Sequence, residues 1–170
     1  MADLYPYLIS SLPMLSFGAP LPFSFAEFIE RCSGIISEED LRVLKGLSVE
    51  ETSQALSPII KKWLGFNTTL KNELVKVRCA RKSARAEDYL RSDGYAEPSV
   101  YHLALAAHRN PSPLEGERML DMARWNFLEE LSFGHYFDLD SVIIYAYKLL
   151  ILERWEKINT ADREALLRSV

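Results

Sequence analysis

Apolar positions along the chain fall mostly at spacings of three and four, the period of a helix that buries one face. From Ser24 the pattern is clear. Ser24-Phe-Ala-Glu27 has the form of a capping box, and Phe25, Phe28, Ile29 and Cys32 follow at helical spacing before Gly34. Ser37-Glu-Glu-Asp40 puts acids at a second helix start, Leu41 and Leu44 are its inward pair, and Gly46 stops it. Ser48-Val-Glu-Glu51 is a further capping box. Ser57-Pro58 opens a long run in which Ile59, Ile60, Trp63, Leu64, Leu70, Leu74, Val75 and Val77 share a face, with Gly65 and Asn67 as a break point. Unbroken to Tyr89 this helix would reach roughly 45 Å at 1.5 Å per residue, so two helices or a protruding hairpin is expected.

Ser92-Asp-Gly-Tyr95 reads as a turn, and Glu97-Pro98 opens a helix over Val100 to Ala107. After Asn110-Pro111-Ser-Pro113 another helix is expected to Phe133, with Leu120, Phe127 and Leu131 as its main stripe, Met119, Trp125 and Leu128 beside it, and Gly134 ending it. Asp138 to Trp155 then forms a helix apolar on nearly every face, which other helices must wrap. Asn159-Thr-Ala-Asp162 reads as the cap of a short last helix. Before Ser24, the four prolines Pro6, Pro13, Pro20 and Pro22 allow a packed arm or a broken helix. No segment alternates with period two, so the expected class is all-α: an irregular multi-helix bundle over 1–170, with a lobe boundary near 108–113 and a long basic helix or hairpin.

Composition adds limits. With 170 residues, 48% of them hydrophobic, one domain or two small lobes fit, and a chain of this length buries roughly 70% of its unfolded surface. The net charge is −4 and unevenly placed. Residues 61–91 hold nine Lys/Arg against three Asp/Glu, whereas the remainder holds eleven against twenty-one. That asymmetry predicts an acidic partner for the basic segment, or self-association. Cys32 and Cys79 have no metal or redox spacing and read as reduced, half-buried thiols. No signal peptide is seen, and Val142 to Leu152 is too short to span a bilayer, so a cytoplasmic location is expected.

Candidate chemistry is sparse. His102, His108 and His135 show no HxxxH or ExxH spacing, so no metal site is expected. Glu117, Asp121 and Arg124 at i, i+4 and i+7 read as an ion-paired helix surface. No phosphate-binding glycine loop or nucleophile motif occurs, so neither catalytic residues nor a cofactor is assigned. The sharper feature is the stripe Lys71, Arg78, Arg81, Lys82 and Arg85. It suits a solvated face, an acidic protein partner, or nucleic-acid phosphates. Lys148, Glu153 and Arg154, charges on the apolar helix, are further interaction candidates.

Four phrases carry a family resemblance. They are Tyr7-Leu-Ile-Ser-Ser-Leu-Pro13, Phe66-Asn-Thr-Thr-Leu-Lys-Asn-Glu-Leu74, Pro113-Leu-Glu-Gly-Glu117 with Arg124-Trp125, and Tyr145-Ala-Tyr-Lys-Leu-Leu-Ile-Leu-Glu-Arg-Trp155. Together they resemble the bacterial DUF2764 family, which is encoded among the genes of V/A-type ATP synthases and is similar to a reduced form of their C-type socket subunit. That likeness implies a helical socket between the central stalk and the membrane rotor ring, peripheral to the inner membrane, with no catalytic site and no ion path of its own. A full socket subunit has three similar helical units and is longer, so a partial socket and an assembly factor both fit. A helical nucleic-acid-binding or regulatory module using residues 71–91 is the alternative.

Overall fold

The computed structural model describes residues 4–48, 57–91, 94 and 97–168, with 162–168 as backbone alone. Seven α-helices and no strand occur among them: α1 Pro6–Ser11, α2 Phe25–Cys32, α3 Glu38–Lys45, α4 Pro58–Lys82, α5 Pro98–Arg109, α6 Pro113–Ser132 and α7 Leu139–Arg168, with a 3₁₀ turn at Ala86–Asp88. The all-α expectation holds. Small polar side chains meet the free amides at five helix starts. Ser24 and Glu27 form the full capping box of α2, and Ser37 Oγ accepts from the amide of Asp40 at α3. Ser57 Oγ accepts from the Ile59 amide at 3.1 Å, Ser112 Oγ from Glu115 at 3.3 Å, and Asp138 Oδ1 from Ser141 at 3.0 Å. Each such bond is worth about 1 kcal/mol. The capping box of Ser48 to Glu51 and most of the turn at Ser92 to Tyr95 lie outside the described residues.

The chain divides into two compact units, one of residues 1–59 and 128–170, the other of 60–127. In the first, α2 packs on α3 and α7, and α3 packs on α7. Phe28, Cys32, Leu41 and Leu44 are buried, and so are Val142, Ile143, Ala146, Tyr147, Leu149 and Ile151 of α7. With Ile144, seven buried positions within ten residues circle the whole helix, as its greasy sequence requires. The segment before Ser24 is a broken helix: α1 lasts six residues, Leu8 is buried, and the Tyr5 amide donates to the Phe137 carbonyl at 2.5 Å. Tyr145 sends its hydroxyl to the Pro13 carbonyl at 3.0 Å and sets its ring 5.5 Å from Phe28. The short last helix expected from Asn159 does not exist as such, because α7 runs unbroken to Arg168. Thr160 Oγ1 donates to the Glu156 carbonyl four residues back at 2.8 Å instead of capping.

In the second unit, Phe66, Leu70, Leu74 and Val77 of α4 meet Val100, Ala104 and Ala107 of α5 and Leu120 of α6. Phe66 and Phe127 stack with centroids 4.2 Å apart. The long run from Pro58 is one helix through Gly65 and Asn67, and it ends at Lys82, not Tyr89. Ser83, at φ +53°, turns the chain out of it. Residue 91 is then pinned back on the helix: Asn72 Nδ2 donates to the Arg91 carbonyl and the Arg91 amide donates to Asn72 Oδ1, both at 2.9 Å. The result is a hairpin, with residues 73–90 as its two limbs and tip. The buried stripe of α6 also differs from expectation. Leu120, Asp121, Arg124, Trp125 and Leu128 face inward, whereas Phe127 and Leu131 are only half-buried.

Candidate functional site

The hairpin beyond Asn72 carries a group of exposed cations. Arg78, Arg81 and Lys82 are exposed on the last turns of α4, and Arg85 is exposed in the turn beyond it. None of the four makes an ion pair or side-chain hydrogen bond among the described residues. Arg81 and Lys82 sit where the negative end of the helix favours cations. Lys71, the first residue of the stripe, is half-buried and already engaged. Because α4 stops at Lys82, Arg85 is not on the helical stripe with the others. Glu87 and Asp88, in the 3₁₀ turn, are the acids of the tip.

Between α4 and α5 lies a cleft of about 780 Å³. Lys76, Val77, Ala80 and Arg81 form its α4 wall, and Tyr101, Leu105, His108 and Arg109 its α5 wall. Among the described residues, no carboxylate lines it. Lys76 is partly neutralised by Glu73 at 2.6 Å. The basic stripe of α4 does not by itself disclose this cleft. The signal lies in Tyr101, Leu105, His108 and Arg109, which fall at i, i+4, i+7 and i+8 and so share one face. His108 is in the last turn of α5, and its Nε2 is buried without a hydrogen-bond partner among the described residues.

The charges on α7 are placed differently. Lys148 Nζ lies 2.8 Å from Glu129 Oε1. Glu153 Oε1 accepts from the Phe25 amide at 3.4 Å, and Oε2 lies 3.6 Å from Lys157 Nζ. Arg154 also has an interaction within the chain. Lys148 and Glu153 therefore help join the elements of their own unit.

Glu117, Asp121 and Arg124 do not make an ion-paired surface. Asp121 is fully buried, and Arg124 is 7% exposed. Arg124 Nη1 donates to Asp121 Oδ1 at 2.6 Å and its Nε donates to Asn67 Oδ1 at 2.8 Å. Asn67 Nδ2 in turn donates to the Trp63 carbonyl at 3.1 Å. A buried guanidinium with a carboxylate and an amide as acceptors is a packing device; a pocket for substrate is not part of it.

A second cluster follows neither the His–His nor the Glu–His spacing and so was not expected. His135 Nδ1 lies 2.5 Å from Asp138 Oδ2 and 3.8 Å from Asp140 Oδ2. These three ligand-type atoms lie within 4.8 Å of one another and could hold a hard divalent cation. Their contacts are also those of an ion-paired helix start: Asp138 caps α7, and Asp140 Oδ1 accepts from Ser57 Oγ at 2.6 Å. Partial burial acts to raise the Asp138 pKa, but hydrogen bonds from His135 and the Ser141 amide outweigh it and hold the carboxyl below its ordinary 3.8.

Residues 100–170 match the DUF2764 family model. That family is described as "Protein of unknown function (DUF2764)". The match takes in the phrases at 113–125 and 145–155, whereas those at 7–13 and 66–74, and with them the basic hairpin, lie before it. No curated protein and no solved structure matches the chain. No helix among the described residues is long and apolar enough to cross a membrane.

Proposed function

We propose that this chain is a non-catalytic helical docking subunit that seats an acidic neighbouring protein on the basic hairpin of α4. The observation that carries the reading is the exposure of Arg78, Arg81, Lys82 and Arg85 with no ion pair among the described residues. Four solvated cations on one hairpin are favourable for solubility, but they also steer an acidic surface and fix its orientation. The resemblance to DUF2764, and through it to the C-type socket subunit, supplies the complex: a V-type ATP synthase, with the chain between central stalk and rotor ring at the cytoplasmic face of the inner membrane. The chain would there transmit force by contact and take no part in nucleotide or ion chemistry.

The test is purification of the V-type complex from native membranes. The chain is expected to co-purify in fixed ratio, and Arg81→Glu with Lys82→Glu should release it while leaving its helix content unchanged. A native complex wholly lacking the chain would end the assignment to this assembly. Unaltered co-purification of the double variant would remove the hairpin from the docking account.

A second reading is nucleic-acid binding by the same hairpin, favoured by the exposed ring of Tyr89 on its second limb. It requires binding to DNA or RNA that falls steeply with salt, because each phosphate contact releases counterions.

A further inference from the structure

We infer that the cleft between α4 and α5 is the seat of the partner, and that its occupant is an acidic amphipathic helix. This rests on the docking reading above and specifies its chemistry. The cleft is a trench bounded by one face of each helix. From Tyr101 to Arg109 the α5 wall is about 12 Å long at 1.5 Å per residue, room for two turns of a docked helix. Val77, Ala80 and Leu105 supply apolar surface along it, while Arg81 on one wall and Arg109 on the other supply cations that no carboxylate among the described lining residues balances. Lys76 contributes less, since Glu73 already holds it.

Apolar surface flanked by cations on both sides calls for an apolar stripe flanked by carboxylates. An inorganic anion would satisfy the guanidinium groups and leave the apolar surface wet. A phosphate backbone would do the same. The neighbouring smaller cleft, about 200 Å³, provides a contrast: it is lined by Arg78 but also by Glu117, so it has its own countercharge. Within the larger cleft, Arg81 and Arg109 are thus the cations that an incoming partner would meet.

Site-specific photo-crosslinking in native cells tests this, with p-benzoylphenylalanine replacing Tyr101 in the full chain. A probe at Lys82 reports the hairpin tip, and one at Met122, exposed on α6, serves as control. Adducts are mapped by mass spectrometry. The expected result is a Tyr101-probe adduct on a protein segment rich in Asp and Glu, with apolar residues spaced three and four apart. Adding Arg81→Glu and Arg109→Glu should lower its yield about tenfold, the effect of losing about 1.4 kcal/mol of affinity, with unchanged helix content.

Adducts from Lys82 but none from Tyr101 would overturn the trench and leave the docking reading standing. Absence of adducts at both positions would overturn both. A Tyr101-probe adduct on nucleic acid, on a second copy of this chain, or on a segment that is not acidic would overturn the proposed occupant. So would a yield untouched by the double charge reversal.

Discussion

Arg124 of α6 donates through Nε to the side-chain carbonyl of Asn67 on α4, 2.8 Å away, at a site closed to water. The same guanidinium holds Asp121 at 2.6 Å. The second unit thus fixes the register of two helices with one buried cation, a carboxylate and an amide. Removing either acceptor leaves charge or donors uncompensated in the interior.

Asp121→Ala is therefore expected to destabilise the protein by about 3–5 kcal/mol, the usual cost of breaking a buried pair. Asn67→Ala is expected to cost less, about 1–3 kcal/mol, since one charge-assisted bond is lost and the ion pair survives. Urea unfolding followed by circular dichroism measures both. Equal, near-zero effects would mean that water reaches Arg124.

Gly116 brings α6 close against the backbone of α5. A Cβ added there would sit 2.6 Å from the Ala107 carbonyl oxygen, a backbone atom that cannot step aside alone. Gly116→Ala should cost about 1–3 kcal/mol through displacement of the helices, although alanine is the better helix former. A thermal melt that rises on this substitution would contradict the close approach.

The two thiols should differ in reactivity. Cys32 is fully buried, and burial pushes its pKa up to about 11. Cys79 is partly exposed. Alkylation at neutral pH is expected to label Cys79 within minutes and to reach Cys32 only on unfolding, which mass spectrometry of the intact protein resolves.

Acid should weaken the start of α7. The Asp138 carboxyl titrates below its ordinary 3.8 when folded, despite the opposing effect of burial. A depressed carboxyl contributes stability above its unfolded pKa and loses it as pH falls through the folded one. Stability is expected to be flat across neutral pH in this respect and to decline from about pH 4 downward. Asp138→Asn, which keeps a capping oxygen, should flatten that decline. An identical acid limb in both proteins would assign the loss to other groups.

The helical class was legible because its start signals are local: Ser24, Ser37, Ser57 and Ser112 act within three residues of themselves. Burial of apolar α7 was equally plain, since a helix greasy on all faces has few other fates. What sequence did not reveal depends on partners far along the chain. Asn67 reads as a helix breaker, yet its amide bonds the Trp63 carbonyl behind it and Arg124 beyond it, so α4 continues. Asp121 and Arg124 have the spacing of any solvated ion pair, and only the packing of α6 on α4 turns them inward. Arg109 and Tyr101 acquire a role beside Arg81 only when α5 lies along α4. The basic character of residues 61–91 was visible, but where α4 ends was not, because Lys82, Ser83 and Ala84 contain neither glycine nor proline.

The family match begins inside α5, at residue 100. That stretch contains Asp121 and Arg124 but not Asn67, and α7 but neither α2 nor α3. Recognisable sequence and self-sufficient body therefore do not coincide here. Expressed alone, residues 100–170 would present the flanks of α7 and an under-coordinated guanidinium to water, and would be expected to clump or to be degraded. Residues 1–99, which the match leaves out, supply the α2, α3 and Asn67 contacts that cover the part it recognises.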